Sequence, residues 1–177
     1  MANIWKDISP GTSDSMNVII EIQKGSKNKY EIDKKTGLIA LDRVMHTGQD
    51  YPFDYGFVPQ SLWLDGDPLD IVLLTTYPLL PGVLVTARPV GVMHMVDDGE
   101  QDEKIIAVPT HDPRFDKIHD LGDVNPHTLK EIEHFFLTYK NLQEKHVQIN
   151  GFGAKDKAIL AFDQSLKLYT EKYGKME

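Results

Sequence analysis

Apolar residues recur along the first two thirds of the chain in short β-branched or alternating runs, and along the last third at helical spacing. Residues 17–23 form a β-branched run that predicts a strand with Glu21 embedded in it. Residues 29–33 alternate, which puts Lys29, Glu31 and Asp33 on one face and Tyr30 and Ile32 on the other. Lys34 to Gly37 makes a turn and Leu38 to Arg43 returns, so residues 29–43 predict a hairpin. The apolar residues 71–75 fit a buried strand. Residues 83–87, 90–96 and 104–108 add further strands, punctuated by proline and glycine.

Asn125 and Pro126 then form a helix start, a capping side chain followed by proline in the first turn. Leu129, Ile132, Phe135, Phe136, Tyr139 and Leu142 follow at helical spacing. Gly151-Phe152-Gly153 reads as a break. A second amphipathic helix is expected over 154–173, with Ile159, Phe162, Leu166, Tyr169 and Tyr173 on one side and Gly174 at its end. Short strands followed by two helices predict an antiparallel barrel or sandwich with helices against it. Residues 1–15 are polar and turn-rich, an expected N-terminal arm on a single domain spanning 1–177.

Composition narrows the class. A chain of 177 residues buries about 70% of its unfolded surface and needs no covalent staples. It has no cysteine, which removes disulfide frameworks, thiolate catalysis and zinc–thiolate sites. No apolar run approaches the roughly 20 residues that cross a bilayer, and the first residues lack the pattern of a secretory signal. The expected location is cytoplasmic. The net charge of −8, from 19 basic and 27 acidic residues, argues against nucleic acid or anionic membrane as a partner. A small anion remains compatible, provided that metal cations stand between it and the protein.

That proviso meets a cluster of carboxylates. Asp65, Asp67 and Asp70 fall within six positions, directly before an apolar strand. Their mutual repulsion opposes this placement unless something positive binds between them. Gly66 permits a tight turn, while Pro68 excludes helix and pushes Asp67 toward extended backbone. Hard oxygen donors on stiff backbone suit magnesium or manganese. A solvated turn is the plain alternative for any one of these aspartates. Two named loops do not match. A calcium-binding EF-hand starting at Asp65 needs glycine at Asp70 and glutamate at Thr76, and the aspartyl-phosphate pattern needs threonine or valine at Leu69.

A second acidic run covers 97–103 and ends at Lys104; read alone, it is a surface hairpin loop. Asp102 and Lys104 share a face at a strand start, one suited to a metal and the other to a phosphate oxygen. Glu21, Lys29, Glu31 and Arg43 are charges inside strand patterns. Tyr55 offers a hydroxyl in a turn-rich aromatic segment, whereas Tyr51, Phe53 and Phe57 read as core packing.

Taken together, these stretches resemble the bacterial family I soluble inorganic pyrophosphatases. The matching residues are 17–23, 29–33, Asp42-Arg43, Tyr51-Pro52, 54–56 and the signature Asp65-Gly66-Asp67-Pro68-Leu69-Asp70. They continue through Tyr77-Pro78, 88–91, 97–104, Val108-Pro109 and the block from His134 to Lys140. The resemblance implies a mainly β fold with α: a five-stranded OB-like closed barrel with two C-terminal helices packed against it. It also implies a homohexamer that cleaves pyrophosphate to two phosphates by metal-activated water in an in-line displacement. The implied cofactor is several Mg2+ ions, with Mn2+ as a substitute. Carried over by position, Asp65, Asp70 and Asp102 are the implied ligands of the principal metals, with Asp97, Glu31 and Glu21 serving metals that arrive with substrate. Asp67 is the implied general base. Lys29, Arg43, Tyr55, Lys104, Tyr139 and Lys140 are the implied phosphate grips. His134 is similar to an interface histidine of hexameric members. Asp98 and Asp54 depart from the pattern, standing where the family has glutamate and asparagine. Two other classes stand beside this one: an OB-type module for single-stranded nucleic acid, against which the acidic balance and the clustered carboxylates count, and a purely structural subunit whose acidic loops merely keep the surface soluble.

Overall fold

The computed structural model describes residues 3–174. The strands are β1 (Gly11–Thr12), β2 (Ser15–Ile22), β3 (Asn28–Asp33), β4 (Leu38–Val44) and β5 (Asp54–Phe57), then β6 (Asp70–Leu73), β7 (Leu84–Asp97), β8 (Glu100–Gln101), β9 (Lys104–Pro109) and β10 (Val147–Ala154). Two α-helices follow the barrel strands, α1 (Pro126–Thr138) and α2 (Lys155–Tyr173). β2 pairs with β5, β5 with β6, β6 with β9, β9 with β7, and β7 again with β2. Five strands therefore close a ring, the expected OB-like barrel, and closure removes the free edges an open sheet would leave. β1 lies along β2, β8 and β10 lie along β7, and β3–β4 is a separate two-stranded sheet.

One barrel pair is not antiparallel. β6 and β9 run parallel, with Asp70 opposite Lys104, so both strands start at the same rim of the barrel. β5 comes unusually close to β2. A Cβ on Gly56 would sit 2.0 Å from the carbonyl oxygen of Ile19, so only glycine fits there.

The sequence predicts separate strands over 83–87 and 90–96, but β7 runs unbroken through Arg88 and Pro89. Its register against β9 shifts between Pro89 and Gly91. Before that point its other neighbour is β2, and after it β10, whose last residue Ala154 lies opposite Gly91. The irregularity turns the strand from one partner to the next. Gly151-Phe152-Gly153 is likewise strand rather than break: β10 contains all three, with a bulge between Ile149 and Phe152 and Gly151 at φ +95°.

α1 begins as expected, with the Asn125 side chain accepting from the His127 N–H at 2.8 Å and Pro126 opening the first turn. It ends at Thr138, so Leu142 falls on a short 3-10 turn and is exposed. The buried face of α2 is Ala158, Ala161, Phe162, Ser165 and Tyr169; small residues bring it close to β7, and Tyr173 stays largely outside. Residues 3–15 are not a free arm. Trp5 is 1% exposed, donates its indole N–H to the Ser61 carbonyl at 3.0 Å, and stacks edge-on against Tyr169.

Asp54 is fully buried. Its Oδ1 accepts from the backbone N–H groups of Lys24 (2.7 Å) and Leu79 (3.2 Å), and its Oδ2 accepts from the Thr75 hydroxyl. An asparagine oxygen would keep both backbone donors, and its amide could donate to Thr75 Oγ1. Asp54→Asn is expected to lie within about 1 kcal/mol of the parent, whereas Asp54→Ala, which strands two buried N–H groups, costs about 2–4 kcal/mol. Urea denaturation of both variants checks this.

Candidate functional site

One rim of the barrel opens into a cleft of about 730 Å³. It is lined by eleven carboxylates and five lysines, a strongly negative hollow. Strand ends deliver several of them. Asp70 opens β6, Lys104 opens β9 and Asp97 closes β7. Parallel pairing puts Asp70 beside Lys104, and two-residue periodicity puts Asp102 on the same face.

Lys104 is 3% exposed and donates to Asp70 Oδ2 at 2.5 Å and to Asp102 Oδ1. Burial alone would pull its pKa down, but the Asp102 and Asp70 charges reverse this and hold it above the usual lysine range. Burial raises the Asp70 carboxyl, which also accepts a hydrogen bond from the Tyr55 hydroxyl. That phenol is in turn pushed well up by burial and by the Asp70 charge.

The loop before β6 is built as the sequence predicts. Gly66 takes φ +85°, its N–H donates to the Trp63 carbonyl at 3.1 Å, and the Trp63 N–H donates to the Asp67 carbonyl at 2.7 Å. Asp65 accepts the Asp67 N–H at 3.0 Å and faces inward. Burial, with the Asp70 and Asp102 charges adding, lifts its carboxyl to about 7, although the Asp67 N–H opposes this. Asp67 sits at the exposed tip, paired with Lys34.

The β3–β4 sheet forms the opposite wall. Lys29 pairs with Glu31 and lies 3.4 Å from Asp42, which also holds Arg43 Nη1 at 2.6 Å. Arg43 does not itself line the cleft, and its Nε is buried without a partner. Glu21 lies at the back on β2; its Oε1 accepts the Ile32 N–H at 2.6 Å and braces the hairpin, and burial raises its pKa well above the usual range. Past the end of α1, Lys140 pairs with Asp97, and buried Tyr139 stacks on Phe135. His134 is outside the cleft lining.

Among the described residues, no three acidic or histidine side chains close tightly enough on one point to define a cage. Ammonium groups of Lys104, Lys140, Lys34 and Lys29 compensate the carboxylates instead. The donor set nevertheless fits hard cations. It is all oxygen, its negative charge exceeds that of the lysines, and Asp97 Oδ1 is buried without a hydrogen-bond partner.

Sequence reading gave no site role to several lining residues, Lys34 and Tyr51 among them. Lys34, read as a turn residue, donates to the Gly66 carbonyl at 2.8 Å as well as to Asp67. Tyr51, read as core, is buried but reaches the cleft, and burial lifts its phenol pKa. Lysine content in the hairpin turn was the only signal for the first; nothing in the pattern separated the second from Phe53.

A family model described as inorganic pyrophosphatase matches residues 18–170. The chain is 46% identical to an inorganic pyrophosphatase of Haloferax volcanii, over 98% of this chain and 100% of that one. It is 49% identical to an inorganic pyrophosphatase of Nostoc sp., over 87% of this chain and 91% of that one. The crystal structure of inorganic pyrophosphatase from Thermus thermophilus superposes with a TM-score of 0.91 at 42% identity, covering 96% of this chain and 99% of that one.

Proposed function

The chain belongs to the inorganic pyrophosphatase family and hydrolyses pyrophosphate to phosphate, and we propose that the cleft at the barrel rim carries this reaction with divalent metal ions held on its carboxylates. The observation that carries this reading is the excess of acidic over basic groups lining the cleft. A polyanion does not enter such a hollow unless cations come with it.

Asp65, Asp70 and Asp102 would hold the principal ions, with Asp97, Glu31 and Glu21 serving those that arrive with substrate. Magnesium suits the all-oxygen set, and manganese is its natural substitute. When bound, such ions neutralise pyrophosphate and lower the pKa of water from about 15.7 toward 7. The protein supplies position and proton transfer. Asp67, at the exposed loop tip, accepts the proton of the attacking water. Lys29, Arg43, Tyr55, Lys104, Tyr139 and Lys140 hold the two phosphoryl groups in line and stabilise the charge that builds on the leaving oxygen. The chain acts as one domain in the cytoplasm, assembled as a homohexamer.

Phosphate release from pyrophosphate at millimolar magnesium, absent without the metal, is the direct test; release at the same rate in EDTA would refute the metal-dependent reading. Asp67→Asn is expected to leave metal binding nearly intact and to slow turnover by ~10²–10⁴-fold, the usual share of general-base help. Pre-steady-state phosphate release and metal titration on one preparation separate the two effects.

A further inference from the structure

Glu103 stands outside the roles assigned so far, yet its two oxygens reach two different parts of the barrel rim. Oε2 accepts the Trp63 indole N–H at 3.0 Å, and Oε1 lies 3.2 Å from His94 Nδ1. Its side chain is 14% exposed, and Trp63 is 6% exposed. The indole N–H is the only polar group on the Trp63 side chain, and burying it without a partner is costly.

The backbone of Trp63 closes the loop that presents Asp65 and Asp67, through the bonds from Gly66 N and to Asp67 O. Glu103 directly follows Asp102. The Asp102 N–H donates to the Met95 carbonyl at 2.9 Å, Glu103 meets His94, and Lys104 lies opposite Met93. Residues 102–104 are therefore stitched residue by residue to 95–93 on β7, and Glu103 alone of the three also ties that seam to the 63–67 loop.

We propose that Glu103 is a positioning residue, a cross-brace that sets the separation between Asp65 on its loop and Asp102 on its strand and so tunes metal affinity. This rests on the reading of Asp65 and Asp102 as metal ligands. Groups hydrogen-bonded directly to a ligand typically change metal affinity or activity by 10–100-fold when removed, and Glu103, which reaches Asp65 through Trp63, belongs at the lower end of that range. Glu103 touches neither substrate nor metal in this role, and acts through the loop.

The test measures Mn2+ binding by calorimetry without substrate, together with thermal melting, on the full chain. Glu103→Ala is expected to weaken Mn2+ binding about tenfold. Trp63→Phe, which keeps the buried ring and deletes only the N–H, is expected to do the same, and the double variant to be no worse than either single one. Glu103→Gln keeps an acceptor for Trp63 and should recover most of the affinity. Parental Mn2+ affinity in Glu103→Ala and Trp63→Phe, or fully additive losses in the double variant, would overturn the brace whatever the melting temperature does. Asp65→Asn serves as the reference: if it also binds Mn2+ like the parent, the ligand assignment itself has failed, whereas weak binding there with normal binding in Glu103→Ala condemns the brace alone.

Discussion

Asp70→Asn is expected to reduce pyrophosphate hydrolysis by on the order of 10⁴-fold or more, beyond the reach of a general-base deletion. The substitution is nearly isosteric, so its effect is electrostatic. Asp70 opens β6 with a single short side chain that accepts from both Lys104 and Tyr55. An asparagine keeps one acceptor and turns an NH2 group toward donors that already face inward. It also removes a negative charge beside Asp65, whose carboxyl is raised mainly by burial and further by the Asp70 and Asp102 charges. Weaker cation binding would then forfeit part of the fall in water pKa from about 15.7 toward 7, and losing half of it would cost about 10⁴ in ionised nucleophile. Initial rates over a magnesium range check this. Recovery of the parental rate at high magnesium would limit Asp70 to affinity, and an unchanged rate at every concentration would remove it from the site.

The second large effect is on stability. Lys104→Met keeps the volume of the side-chain stem and removes the ammonium shared by Asp70 and Asp102. Breaking a buried ion pair from one side costs about 3–5 kcal/mol, because the remaining charge stays desolvated and unpaired. In a chain of this size each kcal/mol lowers the melting temperature by about 2–4 °C. Magnesium should shrink the deficit, since a cation bound only by the folded chain stabilises it and supplies the missing positive charge. Thermal melts of parent and variant, each with EDTA and with magnesium, give four numbers. Equal deficits in both conditions would mean that metal and ammonium do not share the carboxylates.

The legibility of the chain followed the strength of local physics. The 29–43 hairpin stood out because alternation and a glycine turn agree, and the Asp65–Asp70 loop because glycine, proline and crowded carboxylates leave few alternatives. β10 did not, since its two glycines signal a break unless one knows that β7 lies alongside; a Cβ on Gly153 would press on Lys157 and His94. The docking of Trp5 was equally hidden, because its partners Ser61 and Tyr169 are remote in sequence. At the site, most of the residues singled out from the sequence line one cleft. What sequence could not supply was direction: Arg43 turns toward Asp42, Lys34 toward Asp67, and Tyr51 bridges core and cleft.

The β3–β4 sheet carries Lys29, Glu31 and Arg43 yet shares no ladder with the barrel. A lone two-stranded ribbon is marginal by itself and is held here by side chains such as Ile32 and the Glu21 brace. It therefore forms its own unit of local unfolding, and amides of residues 28–44 should exchange with deuterium well before those of the closed ring. Catalytic capacity can then melt away while most of the molecule is still native, so heat inactivation should precede global denaturation.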